Sequence, residues 1–126
     1  MDLRELLRFT YSMFRPPKPQ TVSEWADENR VLTSESASEP GPWRTDRAPY
    51  QREIMDAFTQ PGVYKIVVMA SAQVGKSEIE LNMLGRAIDN DPGPMLYVQP
   101  TDKVAEDYSK RRIAPMFAAC PTLRDK

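Results

Sequence analysis

The sequence predicts an α/β domain built around a parallel βαβ unit, and three neighbouring segments carry this prediction. Residues 63–69 (VYKIVVM) form a largely apolar run with three valines and an isoleucine, which is typical of a strand covered on both faces. Residues 76–89 then place apolar side chains on one helical face, and residues 95–99 (MLYVQ) supply a second apolar strand. Strands joined by a crossover helix lie parallel with a right-handed connection, so we expect both strands in one parallel sheet.

Composition limits the class of protein. A chain of 126 residues can bury one core, and 40% hydrophobic with 28% charged residues is typical of a soluble globular domain. No run approaches the length of a membrane span, and Asp2 and Glu5 interrupt the apolar N-terminal residues, which argues against a secretory signal. Cys120 is the only cysteine and histidine is absent, which excludes an internal disulfide framework, a cysteine zinc site and histidine-based catalysis. We therefore expect an intracellular protein without a membrane segment.

Residues 1–48 are expected to form an irregular N-terminal arm with two short helices and an extended loop rich in proline and serine. Half of the twelve prolines fall in the first 49 residues. Apolar residues at helical spacing predict a first helix over residues 2–14. Thr21 and Glu24 have the S/T-x-x-E spacing of a capping box and predict a second helix. The apolar face of the first helix consists of Leu3, Leu6, Leu7, Tyr11 and Phe14.

The remaining elements follow from turn and cap signals. Residues 33–48 have the composition of a surface loop in which Trp43 is the one large apolar anchor. Pro49 suits the first turn of a helix, because its missing N–H would be unpaired there anyway. A last helix is expected to begin with Asp102 as its cap and to end at Pro115.

The loop between the two predicted strands has the pattern of a phosphate-binding loop. Such a loop needs a strand, a turn whose backbone N–H groups point inward, and a helix N-terminus, and residues 63–89 supply these in order. Gly75 permits close approach of the backbone to a phosphate, Lys76 places a cation on the β- and γ-phosphates, and the Ser77 hydroxyl can bind Mg²⁺. Ala70 stands where the first glycine of the pattern is usual. The alternative is that Gly-Lys-Ser opens an ordinary surface helix. The predicted binding loop comprises Ser71, Ala72, Gln73, Val74, Gly75, Lys76 and Ser77.

Hydrolysis requires more than this loop. Fast turnover also needs an acidic residue at the end of another strand to hold Mg²⁺ and a group that orients the attacking water. Asp102 follows the second predicted strand, but the segment QPTDK lacks the apolar run ending in acids that a Walker B strand has, so we interpret Asp102 as a helix cap. A parallel sheet of two strands would also leave apolar faces uncovered, so residues 49–126 are expected to form the front part of a larger P-loop domain.

Four longer stretches resemble the large subunit of tailed-phage terminases, in the lambda-type GpA family. They are TVSEWADENRVL, SEPGPWRTDRAPYQREIMDAF, MASAQVGKSE and IDNDPGPMLYVQPTDKVAEDYSKRRIAPM, in this order. The resemblance covers the chain from about residue 20 to its end. It implies a RecA-like P-loop ATPase of the additional-strand (ASCE) type, a motor that uses ATP and Mg²⁺ to package double-stranded viral DNA into procapsids.

The resemblance also implies site residues and partners. It makes residues 71–77 the Walker A loop, with Lys76 as the catalytic lysine, and places an adenine-binding segment at Tyr50 and Gln51. The residues alone favour Tyr50 as a core anchor for its helix, and the resemblance reverses this preference. The loop contains no arginine, so charge compensation must come from elsewhere. Implied partners are viral DNA, the small terminase subunit, the portal protein and other copies in a ring, all in the host cytoplasm. Full-length relatives carry Walker B and a nuclease, so we expect these 126 residues to be inactive alone.

Two other interpretations stay open. The chain could be an assembly module that binds a terminase subunit or another protein through its first helix, with a vestigial loop, or a small P-loop kinase. The net charge of −1 does not indicate a nucleic-acid partner by itself. Lys110, Arg111 and Arg112 form the one tight basic cluster, which either lines the DNA path or is a solvated helix face.

Overall fold

A computed structural model describes residues 2–35 and 37–126, and this part of the chain is mostly helical. The helices are α1 (Leu3–Met13), α2 (Val22–Asn29), α3 (Tyr50–Ala57), α4 (Lys76–Asn90), α5 (Asp102–Tyr108), α6 (Ala114–Ala119) and α7 (Pro121–Arg124), with a 3₁₀ turn at Thr45–Arg47 and a π-helical turn at Ser109–Ile113. Strands β1 (Val31–Leu32) and β2 (Gly41–Pro42) form a two-stranded antiparallel sheet in which Val31 pairs with Pro42. No helix within the described ranges is long and apolar enough to cross a membrane.

The predicted parallel βαβ core is not present in the described chain. The crossover helix forms as α4, but residues 63–69 and 95–99 form no strand, and the backbones of residues 64–69 and 95–99 make no hydrogen bond to another backbone group. Tyr64 is 97% exposed and Leu96 is 90% exposed. The apolar pattern identified segments suited to strands, but a strand also needs neighbours that pair with its N–H and C=O groups.

The core lies where α2, α3 and α4 pack together, with α6 and α7 at one side. Trp25 of α2 is fully buried against Gly85 of α4, where an added Cβ would overlap the indole ring. The indole N–H of Trp25 donates to Asp89 at 2.9 Å, which pairs the one polar atom of that ring. Helix α2 is thus part of the core that supports α4. The largest fully buried side chains are Trp25, Met55, Leu81, Leu123, Val22 and Asn82.

The loop before α3 is fixed by side-chain hydrogen bonds. Trp43 is buried as predicted, and its indole N–H donates to the Thr45 hydroxyl at 3.1 Å. The carboxylate of Asp27 accepts hydrogen bonds from the backbone N–H of Thr45 at 2.7 Å and from its hydroxyl at 2.8 Å. These contacts hold the segment that leads to α3 against the end of α2.

The structure confirms one predicted helix cap and corrects another. The capping box of Thr21 and Glu24 forms at the start of α2. At the start of α5 the cap is Thr101, whose hydroxyl accepts from the N–H of Val104, so the assignment of Asp102 as cap is wrong. A threonine hydroxyl can also cap a helix, and here the extended backbone needed at the cap falls at Thr101, one residue earlier than predicted.

The predicted helix end at Pro115 is also wrong. The chain continues from α5 through the π-helical turn into α6, which ends at Ala119. Pro115 lies in the first turn of α6. The wider π-helical turn precedes it, so the missing N–H of the proline is accommodated where the hydrogen-bond register changes.

Candidate functional site

The loop before α4 has the backbone conformation expected for a turn that enters a helix. Gly75 is the N-terminal cap of α4 with φ of 83°, and Gln73 adopts φ of 58°, which is uncommon for a residue with a side chain. The Lys76 ammonium donates to the backbone oxygens of Ala70 at 3.0 Å and Ser71 at 2.9 Å. The Lys76 side chain thus folds back over the start of the loop.

Tyr50 and Gln51, at the start of α3, are both in contact with this loop. The Tyr50 hydroxyl donates to the backbone oxygen of Val74 at 2.8 Å, and the Gln51 amide donates to the same oxygen at 3.1 Å. Tyr50 is 58% exposed, so its ring is not a core anchor. The two elements that the sequence linked only by resemblance are therefore adjacent in space.

Gly75 has a second structural role beyond its positive φ. A Cβ at this position would lie 2.4 Å from the Nε2 atom of Gln51, so any other residue would force the glutamine side chain to move. The loop and α3 therefore pack closely against each other at Gly75 and Gln51.

A cavity of about 300 Å³ lies between the loop and the segment before α3. Gln51 is only 3% exposed, and its buried Oε1 atom has no hydrogen-bond partner. Native proteins rarely leave such an atom unpaired, and a ligand is one way to satisfy it. Residues that line the cavity include Trp43, Arg44, Arg47, Gln73, Val74 and Gly75.

A buried ion pair supports the first turn of α4. Arg30, which is 3% exposed, donates from Nη2 to the Glu78 carboxylate at 2.6 Å and from Nη1 to the Asn82 side chain at 2.7 Å. The other carboxylate oxygen of Glu78 faces Arg112 at 3.5 Å and has no hydrogen-bond partner. Sequence reasoning missed Arg30 and Glu78. The position of Glu78 directly after Ser77 could have suggested it, whereas nothing local marks Arg30.

Two tyrosines pack beside the N-terminal half of α4. The rings of Tyr97 and Tyr108 are stacked with centroids 5.2 Å apart, and the Tyr97 hydroxyl donates to Glu80. Burial, followed by the hydrogen bond to Glu80, raises the pKa of Tyr97. Burial also raises the pKa of Tyr108, which the nearby hydroxyls of Tyr97 and Ser77 oppose. The Tyr108 hydroxyl, although buried, has no hydrogen bond of ordinary geometry. Helix α5 is thereby held against the predicted Mg²⁺ ligand, Ser77.

The basic cluster is divided among different surroundings. Lys110 pairs with Glu106 one turn earlier, Arg111 is exposed, and Arg112 faces Glu78 on α4. Within residues 2–35 and 37–126, no group of three or more Cys, Asp or Glu side chains is arranged to hold a metal ion.

Comparison with known proteins links this geometry to one family. Residues 37–126 match the family described as Phage terminase large subunit gpA, ATPase domain. The terminase large subunit of Escherichia phage lambda is 38% identical over 112 residues, which are 89% of this chain and 17% of that protein. The terminase large subunit of Enterobacteria phage P21 is 31% identical over 107 residues, which are 85% of this chain and 16% of that protein. The chain spans about a sixth of the length of these relatives. No solved structure matches it significantly.

Proposed function

Because the chain belongs to the phage terminase large subunit gpA family, in its ATPase domain, we propose that it is the ATP-binding front part of a motor subunit that packages double-stranded viral DNA into procapsids. The observation that carries the nucleotide site is the buried, unpaired Oε1 of Gln51 beside a glycine loop that enters a helix. A helix N-terminus with inward N–H groups binds phosphate, and the unpaired oxygen is suited to a ligand that donates a hydrogen bond.

The proposed base site favours adenine. One N–H of the Gln51 amide donates to Val74, and the amide oxygen Oε1, an acceptor, is left without a partner. The exocyclic amine of adenine is a donor that fits this acceptor, whereas guanine has a carbonyl oxygen at the equivalent position. Tyr50, largely exposed at the same edge, is placed to stack on the base. Replacing Gln51 with the similarly sized methionine is expected to reduce the preference for ATP over GTP several-fold.

The proposed phosphate site is residues 71–77. Lys76 satisfies its ammonium with two loop carbonyl groups, and the phosphates of a nucleotide would take the place of these acceptors. Ser77, at the second position of α4, would hold Mg²⁺ with its hydroxyl. When bound, Mg²⁺ neutralises charge on the β- and γ-phosphates. The residues of the chain position the phosphates, and we propose that hydrolysis depends on groups outside these 126 residues.

The match to an ATPase domain favours a P-loop fold, and we propose the RecA-like additional-strand type. In this proposal residues 63–69 and 95–99 become strands when other strands of the motor subunit pair with them. Their exposed apolar side chains, such as Val67 at 76% and Val98 at 74%, fit that role. Residues 1–48 would then be an arm docked on residues 49–126 through α2.

We also propose three partners in the host cytoplasm: viral DNA, the portal protein and further copies of the motor subunit in a ring. For the DNA contact, Lys110 and Arg111 are the better candidates, since Arg112 faces α4. Neutralising both residues in the assembled motor is expected to flatten the salt dependence of DNA binding, because each phosphate contact releases counterions. An unchanged salt dependence would indicate that this cluster is a solvated helix face.

The nucleotide site is tested by thermal unfolding of the chain with Mg-ATP. We expect a rise in melting temperature at millimolar nucleotide, since a ligand that binds only the folded state stabilises it. Lys76→Ala should abolish the rise, whereas the control Lys103→Ala, on the exposed side of α5, should retain it. If Mg-ATP does not shift the wild-type chain, the proposed function is wrong.

A second candidate is an assembly module that acts through α1. No residue of this helix is buried, and its apolar face is open, with Leu3 67% and Tyr11 73% exposed. Such a face is typical of a helix that docks on a partner, for which we propose the small terminase subunit. Deleting residues 1–19 should then remove binding to that subunit and leave the Mg-ATP shift intact. Retained binding after the deletion would exclude this role for α1.

A further inference from the structure

We propose that Arg112 contacts the terminal phosphate of a nucleoside triphosphate bound at the loop of residues 71–77. The inference rests on the proposed nucleotide site and assigns it a positive charge from within the same chain. The loop contains no arginine, so such a charge must come from elsewhere in the fold. An arginine near the γ-phosphate stabilises charge that develops during phosphoryl transfer.

The position of Arg112 is the first support. Its guanidinium lies 3.5 Å from the carboxylate of Glu78, which is in the first turn of α4 and lines the same cavity as Gly75. The first turn of a helix spans about 5 Å along its axis, so Arg112 is held within about one turn of the helix N-terminus. The stacked Tyr97 and Tyr108 pair brings the preceding helix, α5, against the same end of α4.

The charge balance around Glu78 is the second support. Arg30 already satisfies one carboxylate oxygen with a buried hydrogen bond at 2.6 Å. Arg112 approaches the other oxygen, which makes no hydrogen bond, and the Arg112 side chain is 42% exposed. Two guanidinium groups thus face one carboxylate. Arg112, the more exposed of the two arginines, interacts more weakly with Glu78. A triphosphate carries more negative charge than this carboxylate and can compete with it for the Arg112 guanidinium.

The backbone that carries Arg112 is the third support. Residues Ser109–Ile113 form a π-helical turn between α5 and α6. Such turns are rare and occur frequently at functional sites, where they redirect side chains. Here the turn carries three basic residues in sequence, and it directs Arg112 to α4 whereas Arg111 remains exposed.

The test compares Mg-ATP with Mg-ADP, because only ATP has the terminal phosphate. Dissociation constants are measured by titration calorimetry for the wild-type chain, Arg112→Gln and the exposed control Arg124→Gln. We expect Arg112→Gln to weaken ATP binding about tenfold, the size of one lost charge-assisted hydrogen bond, with ADP binding unchanged. Arg124→Gln should change neither constant. Circular dichroism and thermal unfolding show whether each variant is folded.

Glu78→Gln provides a second variant with the opposite expectation. It removes the carboxylate that competes with phosphate for Arg112, so ATP binding should become several-fold tighter while ADP binding stays the same. If Arg112→Gln does not fold, Arg112→Lys decides the question, because it keeps the positive charge beside Glu78 but loses the forked donors, so ATP binding should weaken while ADP binding stays unchanged. If Arg112 only stabilises the fold, Arg112→Gln lowers the melting temperature without changing the ratio of the two constants.

Three outcomes would overturn the proposal for Arg112: equal weakening of ATP and ADP binding, no change in either, or an identical effect of Arg124→Gln. Each of them leaves the nucleotide site itself standing, provided that Lys76→Ala still abolishes binding. Failure of the wild-type chain to bind either nucleotide would instead remove the proposed function, and the role of Arg112 with it.

Discussion

Replacing Gly75 with alanine is expected to destabilise the fold by two separable effects. The first is backbone strain, because Gly75 has φ of 83° and a side chain in the left-handed region costs about 1–2 kcal/mol. The second is displacement of Gln51, whose Nε2 would overlap the new Cβ. Moving that buried amide breaks its hydrogen bond to Val74 and leaves an unpaired group, which costs about 1–3 kcal/mol. We expect a total loss of about 2–5 kcal/mol, summing these two effects.

Two other glycines separate the effects. Gly62 also has a positive φ, of 84°, but an added Cβ would meet nothing within 4 Å. Gly62→Ala should therefore lose only the strain energy, about 1–2 kcal/mol. Gly93 has neither a positive φ nor a neighbour within 4 Å. Gly93→Ala should change stability between zero and a gain of about 1 kcal/mol, since alanine restricts the unfolded chain.

Urea denaturation followed by tryptophan fluorescence measures the three variants against the wild-type chain. Unchanged slopes with shifted midpoints would show that stability alone changed. The expected order of stability is Gly93→Ala, then Gly62→Ala, then Gly75→Ala. If Gly75→Ala is no less stable than Gly62→Ala, the contact between the loop and Gln51 is not a constraint, and the fitted arrangement of the candidate site is refuted.

Three further predictions concern residues outside the loop. Arg30→Met should lower the free energy of unfolding, measured by urea denaturation, by about 3–5 kcal/mol, because it leaves the partly buried Glu78 without its main partner. The exposed control Arg4→Met should change this free energy by no more than about 0.5 kcal/mol. Stability should fall above pH about 10, where tyrosines of the unfolded chain ionise but Tyr97, with its raised pKa, stays neutral in the folded chain. Tyr97→Phe should make this alkaline loss smaller in a series of urea titrations, and an unchanged loss would contradict the burial of the phenol. Thr101→Ala should cost about 1 kcal/mol by removing the cap of α5, and no change would place the cap elsewhere.

The local features of the chain were largely predictable from its sequence. The amphipathic pattern of α1, the capping box of α2, the helix that begins after Pro49 and the helix after the glycine loop are all present. Each depends on residues within a few positions of one another, through apolar spacing, side-chain caps or a glycine that can adopt positive φ. Lys76 and Gly75 were identified in the same way.

The strands and the supporting contacts were not predictable to the same extent. Apolar runs suggest strands at residues 63–69 and 95–99, but the runs do not say which backbone will pair with them, and the described chain supplies no partner. The continuation of the last helix past Pro115 depended on a π-helical turn that leaves no local signature. Both outcomes depend on hydrogen-bond partners, and a periodicity cannot identify those partners.

By itself, the sequence determined helices α1 to α4, the loop that leads into α4 and the similarity to one family of packaging proteins. Only the tertiary structure decided what surrounds that loop. It placed Gln51, with its buried unpaired oxygen, in the lining of a cavity beside Gly75, and it set Arg30 and Arg112 against the two oxygens of one carboxylate. Residues 48 and 34 positions from Glu78 come into contact with it because α2, α4 and the π-helical turn pack together, and that packing depends on the shape of the whole core.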